Sequence, residues 1–235
     1  GWALAYANSR VIGAFGRVLA GPPATREIRW HAHHIDDLAT RFGFGSFTAS
    51  VNNWRIDIGG QLPTSTNGRA MVVFQHEVSA SFVDGPTSEV RGFYVDLTGV
   101  TGTTSQGVAA TPVTVLAGSL IDCERPRINQ MADDGYFSVV HQNYNNGTAG
   151  DDWDVYVDFW GDAGNLLTYR LLEPDNGEHK LGPVVSGNGG RFLVTYAGVP
   201  LALDPTKTLS VVGYTVHVQR VDYDGVSALL PHPAN

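Results

Sequence analysis

The chain has 235 residues, 43% hydrophobic and only 16% charged, with 28 glycines. That balance excludes a long disordered chain, which needs low hydrophobicity and high charge, and no run approaches the ~18 apolar residues of a membrane helix. Fifteen Lys and Arg against 23 Asp and Glu leave a net charge of −8, which argues against a nucleic-acid surface and against anionic membranes.

Cys123 is the single cysteine, so an internal disulfide and a Cys-based zinc site are both excluded. Its expected state is a small buried side chain. At this length an all-β chain folds as one unit, so residues 1–235 are read as a single domain.

Gly1 to Tyr6 reads as a strand from the first residue, which suggests a mature, trimmed or partial chain. Asp36 to Gly43 is either a strand or a short helix. Ile35, Leu38, Ala39 and Phe42 fall at helical spacing, and Gly43 would stop it. A repeat then dominates. Gly68-Arg69-Ala70-Met71-Val72-Val73-Phe74 returns as Gly135-Tyr136-Phe137-Ser138-Val139-Val140-His141. It returns again as Gly190-Arg191-Phe192-Leu193-Val194-Thr195-Tyr196. Weaker copies open at Gly1 and Gly45. A second strand follows each strong copy, at Val90–Leu97, Trp153–Phe159 and Tyr214–Val221. Third strands fit Thr111–Leu116 and Leu166–Leu172, and lead-in strands fit Arg127–Met131 and Pro183–Ser186.

Four strands per unit predict an all-β fold, a β-propeller or partial propeller of about four to five four-stranded antiparallel blades. Clear units run over about 60–118, 119–173 and 174–235. Residues 1–59 are irregular, because copies opening at 45 and 68 stand too close for a full unit. The segments Glu77–Glu89, Gln142–Asp152 and Val199–Ser210 are expected as long loops emerging on one face, where binding concentrates.

The pairs GRFLVTY…YTVHVQRVDYDG and GYFSVVHQNY…DDWDVYVDFWGDAGNLL resemble β-propeller-type repeats of large secreted bacterial proteins. In those, a GRFLVVW strand is followed by DIYVQRFDADG. The resemblance covers roughly residues 68–230 and implies an extracellular or cell-surface setting, with no shared catalytic residues. Ser186-Gly187-Asn188-Gly189-Gly190 and Ser65-Thr66-Asn67-Gly68 resemble the Asp-box turn of sialidase propellers, with Asn188 in place of the aspartate and no tryptophan following.

Chemistry-bearing clusters are few. His31, His33 and His34 with Asp36 and Asp37 are a candidate transition-metal site, although on a strand only His31 and His33 share a face. Asp151, Asp152 and Asp154 are a candidate calcium site, hard oxygen donors without EF-hand spacing; calcium is accordingly the one cofactor considered. Trp153 is the candidate stacking face for a sugar. The basic residues are too dispersed in the sequence to show an arginine cluster, Arg125 and Arg127 being the nearest to a pair in mid-chain. HExxH, G-x-S-x-G and nucleotide-binding glycine motifs are absent.

The resulting expectation is a non-enzymatic extracellular binding or structural propeller whose partner is a glycan or a protein. One alternative is a carbohydrate-active propeller, lectin or glycoside hydrolase. The other is a subunit of a larger extracellular assembly with open strand edges paired by another chain.

Overall fold

A computed structural model describes residues 2–8, 10–19, 25–47, 53–61, 68–78, 88–97, 110–111, 113–117, 122–132, 135–147, 150–172, 177–201 and 214–230. The Ser65–Asn67 turn, the Thr48–Val51 end of the weak copy, and most of the Glu77–Glu89 and Val199–Ser210 segments lie outside the described residues.

The described residues form four sheets, each built on a four-stranded antiparallel meander. Sheet 1 holds β1 (Trp2–Ala7), β2 (Arg10–Leu19), β3 (Thr25–His34) and β4 (Asp37–Phe47). Sheet 2 holds β5 (Asn53–Gln61), β6 (Arg69–Glu77), β7 (Ser88–Asp96) and β8 (Thr114–Ala117). Sheet 3 holds β9 (Cys123–Ile128), β11 (Tyr136–Gly147), β12 (Gly150–Gly161) and β13 (Leu166–Leu172). The short β10 (Met131–Ala132) adds a parallel pairing to the edge of β5. Sheet 4 holds β14 (Glu178–Asn188), β15 (Arg191–Pro200), β16 (Thr215–Tyr223) and β17 (Ala228–Leu229).

The repeated glycine has a backbone reason. Gly68, Gly135 and Gly190 stand immediately before the second strands of sheets 2, 3 and 4 at φ of 51°, 88° and 75°, a region that side chains with a Cβ disfavour. The strong copies are therefore the second strands β6, β11 and β15.

Asp36–Gly43 resolves as strand, not helix: β4 pairs with β3 from His34↔Asp37 to Ile28↔Phe47. Leu38 and Phe44 are exposed, so the helical spacing marked no buried stripe. Two register shifts after Ala32 break the period-two pattern there. Gly45 opens no unit. It lies in the outermost strand of sheet 1, which removes the crowding before Gly68. The Gln142–Asp152 loop is corrected as well. β11 and β12 stay paired from Tyr136↔Gly161 to Gly147↔Gly150, so these polar residues are ladder residues.

Three apolar layers join the sheets. Ile12, Ile28, Trp30, Val72, Phe74 and Phe93 fill the layer between sheets 1 and 2. Met71, Val73, Tyr94, Ile128, Phe137 and Trp160 fill that between sheets 2 and 3. Phe159, Phe192, Val194, Tyr196, Val221 and Tyr223 fill that between sheets 3 and 4. Successive β6 residues thus serve two layers, which is why Ala70–His76 is buried without alternation. The outward faces of sheets 1 and 4 carry exposed apolar residues, among them Trp2 and Phe44 on one and Leu193, Val216 and Val218 on the other.

The first strands β1, β5, β9 and β14 pack on one another in sequence. They meet on bare backbone. A methyl at Gly60 would collide with the carbonyl oxygen of Tyr6, and one at Gly59 with that of Asn129. Asp57 on β5 then ties down β9, with Oδ2 accepting the Ile128 N–H at 3.1 Å and Oδ1 accepting Gln130 Nε2 at 3.1 Å. Asn129 Nδ2 donates to Gly187 O on β14 at 2.8 Å.

Gly60→Ala should therefore destabilise the fold by about 2 kcal/mol or more, because its methyl meets fixed backbone. Gly177→Ala, with open space around its Cβ position, should cost about 1–2 kcal/mol through its φ of 75°. Urea unfolding of both variants checks the order.

Candidate functional site

The site grows from a repeated irregularity. The β5–β6 register steps between Trp54 and Asp57, β9–β11 between Glu124 and Arg127, and β14–β15 between Leu181 and Val184. Each step places a residue in the left-handed region: Arg55 at φ 50°, Arg125 at 52° and Gly182 at 62°. Glycine adopts that conformation freely, whereas each arginine pays about 1–2 kcal/mol of steric strain. Two of the exposed N–H groups are capped from the preceding sheet. Gln75 Oε1 accepts the Arg125 N–H at 3.2 Å, and Gln142 Oε1 accepts the Gly182 N–H at 2.9 Å. Both glutamines stand seven residues beyond a repeat glycine (68 to 75, 135 to 142).

The three bulges converge on one cavity of about 350 Å³, lined by Arg55, Arg125 and Arg127 with Pro126, Pro183 and Val184. It lies toward the end of the sheets where β6, β11 and β15 turn into the next strand, since Asn53 faces His76, Cys123 faces Asn143 and Glu178 faces Pro200. Three arginines thus gather in a protein of net charge −8. Sequence spacing could not show this, because Arg55 lies one sheet away from the other two.

Arg55 pairs with Glu124 at 3.3 Å. Burial and then the positive charge of Arg125 hold the Arg55 guanidinium below its ordinary pKa, with Arg127 adding to the effect. Burial raises the Glu124 carboxyl, and Arg55 opposes that. Among the described residues Arg125 and Arg127 form no ion pair with a carboxylate. Arg125 Nε is buried with no hydrogen-bond partner among them. Arg55 also lies over the Trp54 ring, 4.8 Å from its centroid. Both residues line a second cavity of about 440 Å³ against Gly16, Val18 and Arg26 of sheet 1. The buried Trp54 Nε1–H likewise has no partner among the described residues.

Of the residues expected from sequence, Asp154 serves a different purpose. Its carboxylate accepts Lys180 Nζ at 2.7 Å, and both side chains are buried between sheets 3 and 4. Asp152 is buried on the same face of β12, and the Asp151 side chain lies outside the described residues. Trp153 is half-buried against Tyr144, ring centroids 5.3 Å apart, and lines neither cavity. His31 and His33 share a face of β3 with centroids 6.2 Å apart, His31 edge-on to Phe15. Burial, then Arg41, His33 and Arg29, keep the His31 pKa below its ordinary value. His34 sits apart at the β3–β4 turn, where its Nδ1 accepts the Asp36 N–H at 3.2 Å. Among the described residues no group of three His, Cys, Asp or Glu side chains comes together as a metal site.

Cys123 is buried beside His141. The His141 ring faces Asp158 Oδ2 at 3.0 Å and Asn143 Oδ1 at 2.6 Å. The Asp158 carboxylate accepts from one ring nitrogen and favours the protonated imidazole. Burial opposes that charge, but the Asp158 carboxylate overrides it and raises the pKa from 6.5 to about 10. His76 is the contrast. Burial and then Arg91 lower it to about 4, and it faces Asn53 Oδ1 at 2.7 Å.

A family model for Reoviridae VP9 matches residues 42–133, from β4 to the start of sheet 3 and through all three arginines of the cavity. No curated protein matches the chain. Among solved structures, Trypanosoma rangeli sialidase in complex with the inhibitor DANA superposes with a TM-score of 0.55 at 13% identity, over 97% of this chain and 37% of that one. A second structure of the Trypanosoma rangeli sialidase gives a TM-score of 0.52 at 13% identity over the same shares. The chain thus spans little more than a third of the sialidase. At this identity the likeness concerns the fold: four antiparallel sheets arranged as in part of a sialidase propeller.

Asp154→Asn should cost about 3–5 kcal/mol, because it leaves Lys180 charged and buried without its partner. Pairing it with Lys180→Met should recover most of that loss in urea unfolding. The His141 contribution has its own pH signature. A raised folded pKa stabilises fully below 6.5 and is lost as pH rises through about 10. Burial also raises the Cys123 thiol, which acts in the same direction at high pH. The unfolding midpoint should fall between pH 6.5 and pH 10, and a level profile would contradict the buried imidazolium.

Proposed function

We propose that this protein is a non-enzymatic binding module of the β-propeller type, which takes its ligand in the cavity formed by the bulges of its first strands. The cavity itself is the supporting observation. It draws side chains from sheets 2, 3 and 4 to the end of the blades where three inter-strand connections emerge. Its size suits a small-molecule group. The groups gathered there are suited to holding a ligand: three guanidinium donors and apolar proline and valine walls. Glycoside hydrolysis ordinarily uses a pair of carboxyl groups flanking the bond. Among the described residues the arginine cluster is accompanied by Glu124, already engaged by Arg55. The resemblance of the repeats to secreted proteins supports an extracellular or cell-surface setting, with a glycan or a protein segment as partner.

A carbohydrate-active propeller is the second reading. Trp54 beside Arg55 and Glu124 favours it, an aromatic floor next to a charged pair. The sialidase likeness in fold makes a sialoside the natural probe.

The test is retention on a glycan array together with turnover of a fluorogenic sialoside. Saturable retention without turnover, lost in Arg127→Gln, is the expected result. Turnover abolished by Glu124→Gln would replace the binding module with the enzyme. Retention unchanged in Arg127→Gln would move the site away from this cavity and overturn the assignment.

A further inference from the structure

We infer that the protein pairs head to tail with a second copy of itself. The outward face of sheet 4 in one copy seats on the outward face of sheet 1 in the other, and two copies close one ring of blades. The pairing is independent of the arginine cavity and of what binds there.

Register is the first ground. In each second strand, residues at even distances from the repeat glycine face the preceding sheet and those at odd distances face the next. Ala70, Val72 and Phe74 meet sheet 1, whereas Met71 and Val73 meet sheet 3. Phe192, Val194 and Tyr196 likewise meet sheet 3, which leaves Leu193, Thr195 and Ala197 on the outward face of sheet 4. Their ladder partners share that face, Val218 opposite Thr195 and Val216 opposite Ala197. The matching positions of sheets 2 and 3 are inter-blade contacts. Val90 stands opposite Gln75, and Val155 and Val157 stand opposite Gln142 and Val140. All three valines are fully buried against the following sheet. Val216 and Val218 repeat their placement yet are 64% and 63% exposed. Sheet 4 thus carries one half of an inter-blade layer, and among the described residues no sheet covers it.

Sheet 1 supplies the other half. Trp2, Leu4 and Tyr6 pair with Phe15, Gly13 and Val11, and the Gly13 row continues through His31 to Phe44. These residues alternate with Ile12 and Ala14, which meet sheet 2, so they face away from it. Trp2, Leu4 and Phe44 are exposed there. Charge excludes pairing of this face with its own copy. It holds Arg17 and Arg29 around Glu27, and Arg41 over the Phe44 ring at 4.2 Å. Two such faces would gather their arginines in one layer, whereas Arg220 on the sheet 4 face is closed on Asp222.

Size is the third ground. β14, β15 and β16 run for 11, 10 and 9 residues. At about 3.3 Å per residue and about 4.8 Å between strands they present a face on the order of 400 Å², the scale at which an exposed apolar patch marks an interface. One head-to-tail contact buries two such faces. Two contacts bury four, which reaches the roughly 1,600 Å² of a stable interface. Head-to-tail contacts make a ring where the rotation closes. Four sheets per copy give eight blades in two copies, within the usual range of about four to eight, and a third copy would exceed it.

Sedimentation velocity and native mass spectrometry of the full chain at micromolar concentration test the pairing. The expected species is a dimer and nothing larger. Val216→Glu with Val218→Glu should give a monomer, and so should Leu4→Glu with Phe44→Glu. The circular dichroism of both should be unchanged, because all four side chains are exposed. An equimolar mixture of these two variants should restore dimers held by one contact, at least tenfold weaker than the original. Val216→Thr with Val218→Thr keeps β-branched residues in the strand and should weaken the dimer at least tenfold even where the glutamate variant fails to fold. A monomeric wild-type chain would overturn the inference and leave the two faces to blades of another polypeptide. Dimers that persist in either glutamate variant, or a mixture that stays monomeric, would overturn the head-to-tail arrangement. Species larger than two copies would overturn the closed ring.

Discussion

The rest of the structure depends on how closely the first strands of the four sheets approach one another. Gly59 and Gly60 let β5 lie against the carbonyl oxygens of Asn129 and Tyr6, a distance no side chain permits. Backbone brought that near must satisfy its polar groups across the junction, and Asp57 and Asn129 do so by bonding from one first strand to the next. Apolar burial then joins the blades farther out, where β-branched and aromatic residues interdigitate in three layers. Burial of apolar area is non-directional. The polar bonds near the centre are what fix how one blade is set against the next.

Charged residues between sheets 3 and 4 and within sheet 3 serve the same end. Lys180 and Asp154 bury a full ion pair between two sheets. His141 holds its charge between Asp158 and Asn143 beneath the cysteine of the neighbouring strand. Such pairs add little net stability against an apolar alternative, but a single lost partner is costly. They therefore penalise any shift of one strand past another. An aspartate-rich stretch that looks like a cation-binding loop in the sequence is here, at Asp154, the counter-ion that lets a lysine be buried.

Much of the architecture was legible, and what was not has two physical causes. Strands with clean alternation or a continuous apolar run announced themselves: β13 at Leu166–Leu172, and the three second strands behind their left-handed glycines. The first strands beyond β1, which Gly1–Tyr6 announced, did not. Of them only Arg127–Met131 and Pro183–Ser186 were visible, because the bulges at Arg125 and Gly182 reset the period-two pattern and hid the halves that precede them. The same bulges build the cavity, so the features that obscured the strands also obscured the site. The β11–β12 ladder was missed for another reason. Its outer half is made of Asn and Asp, whose usual home is a turn, and buried partners such as Lys180 override that preference.

The arginine cluster shows why composition alone misleads about partners. A net charge of −8 describes the average surface, whereas a ligand meets a local field. In this recess three guanidinium groups gather around the single carboxylate of Glu124, and distant carboxylates are screened by solvent within about 10 Å at 0.1 M salt. A β-propeller suits such a recess, because its first strands from successive sheets meet there. The residues responsible for the charge of the recess, Arg55, Arg125 and Arg127, all stand on first strands.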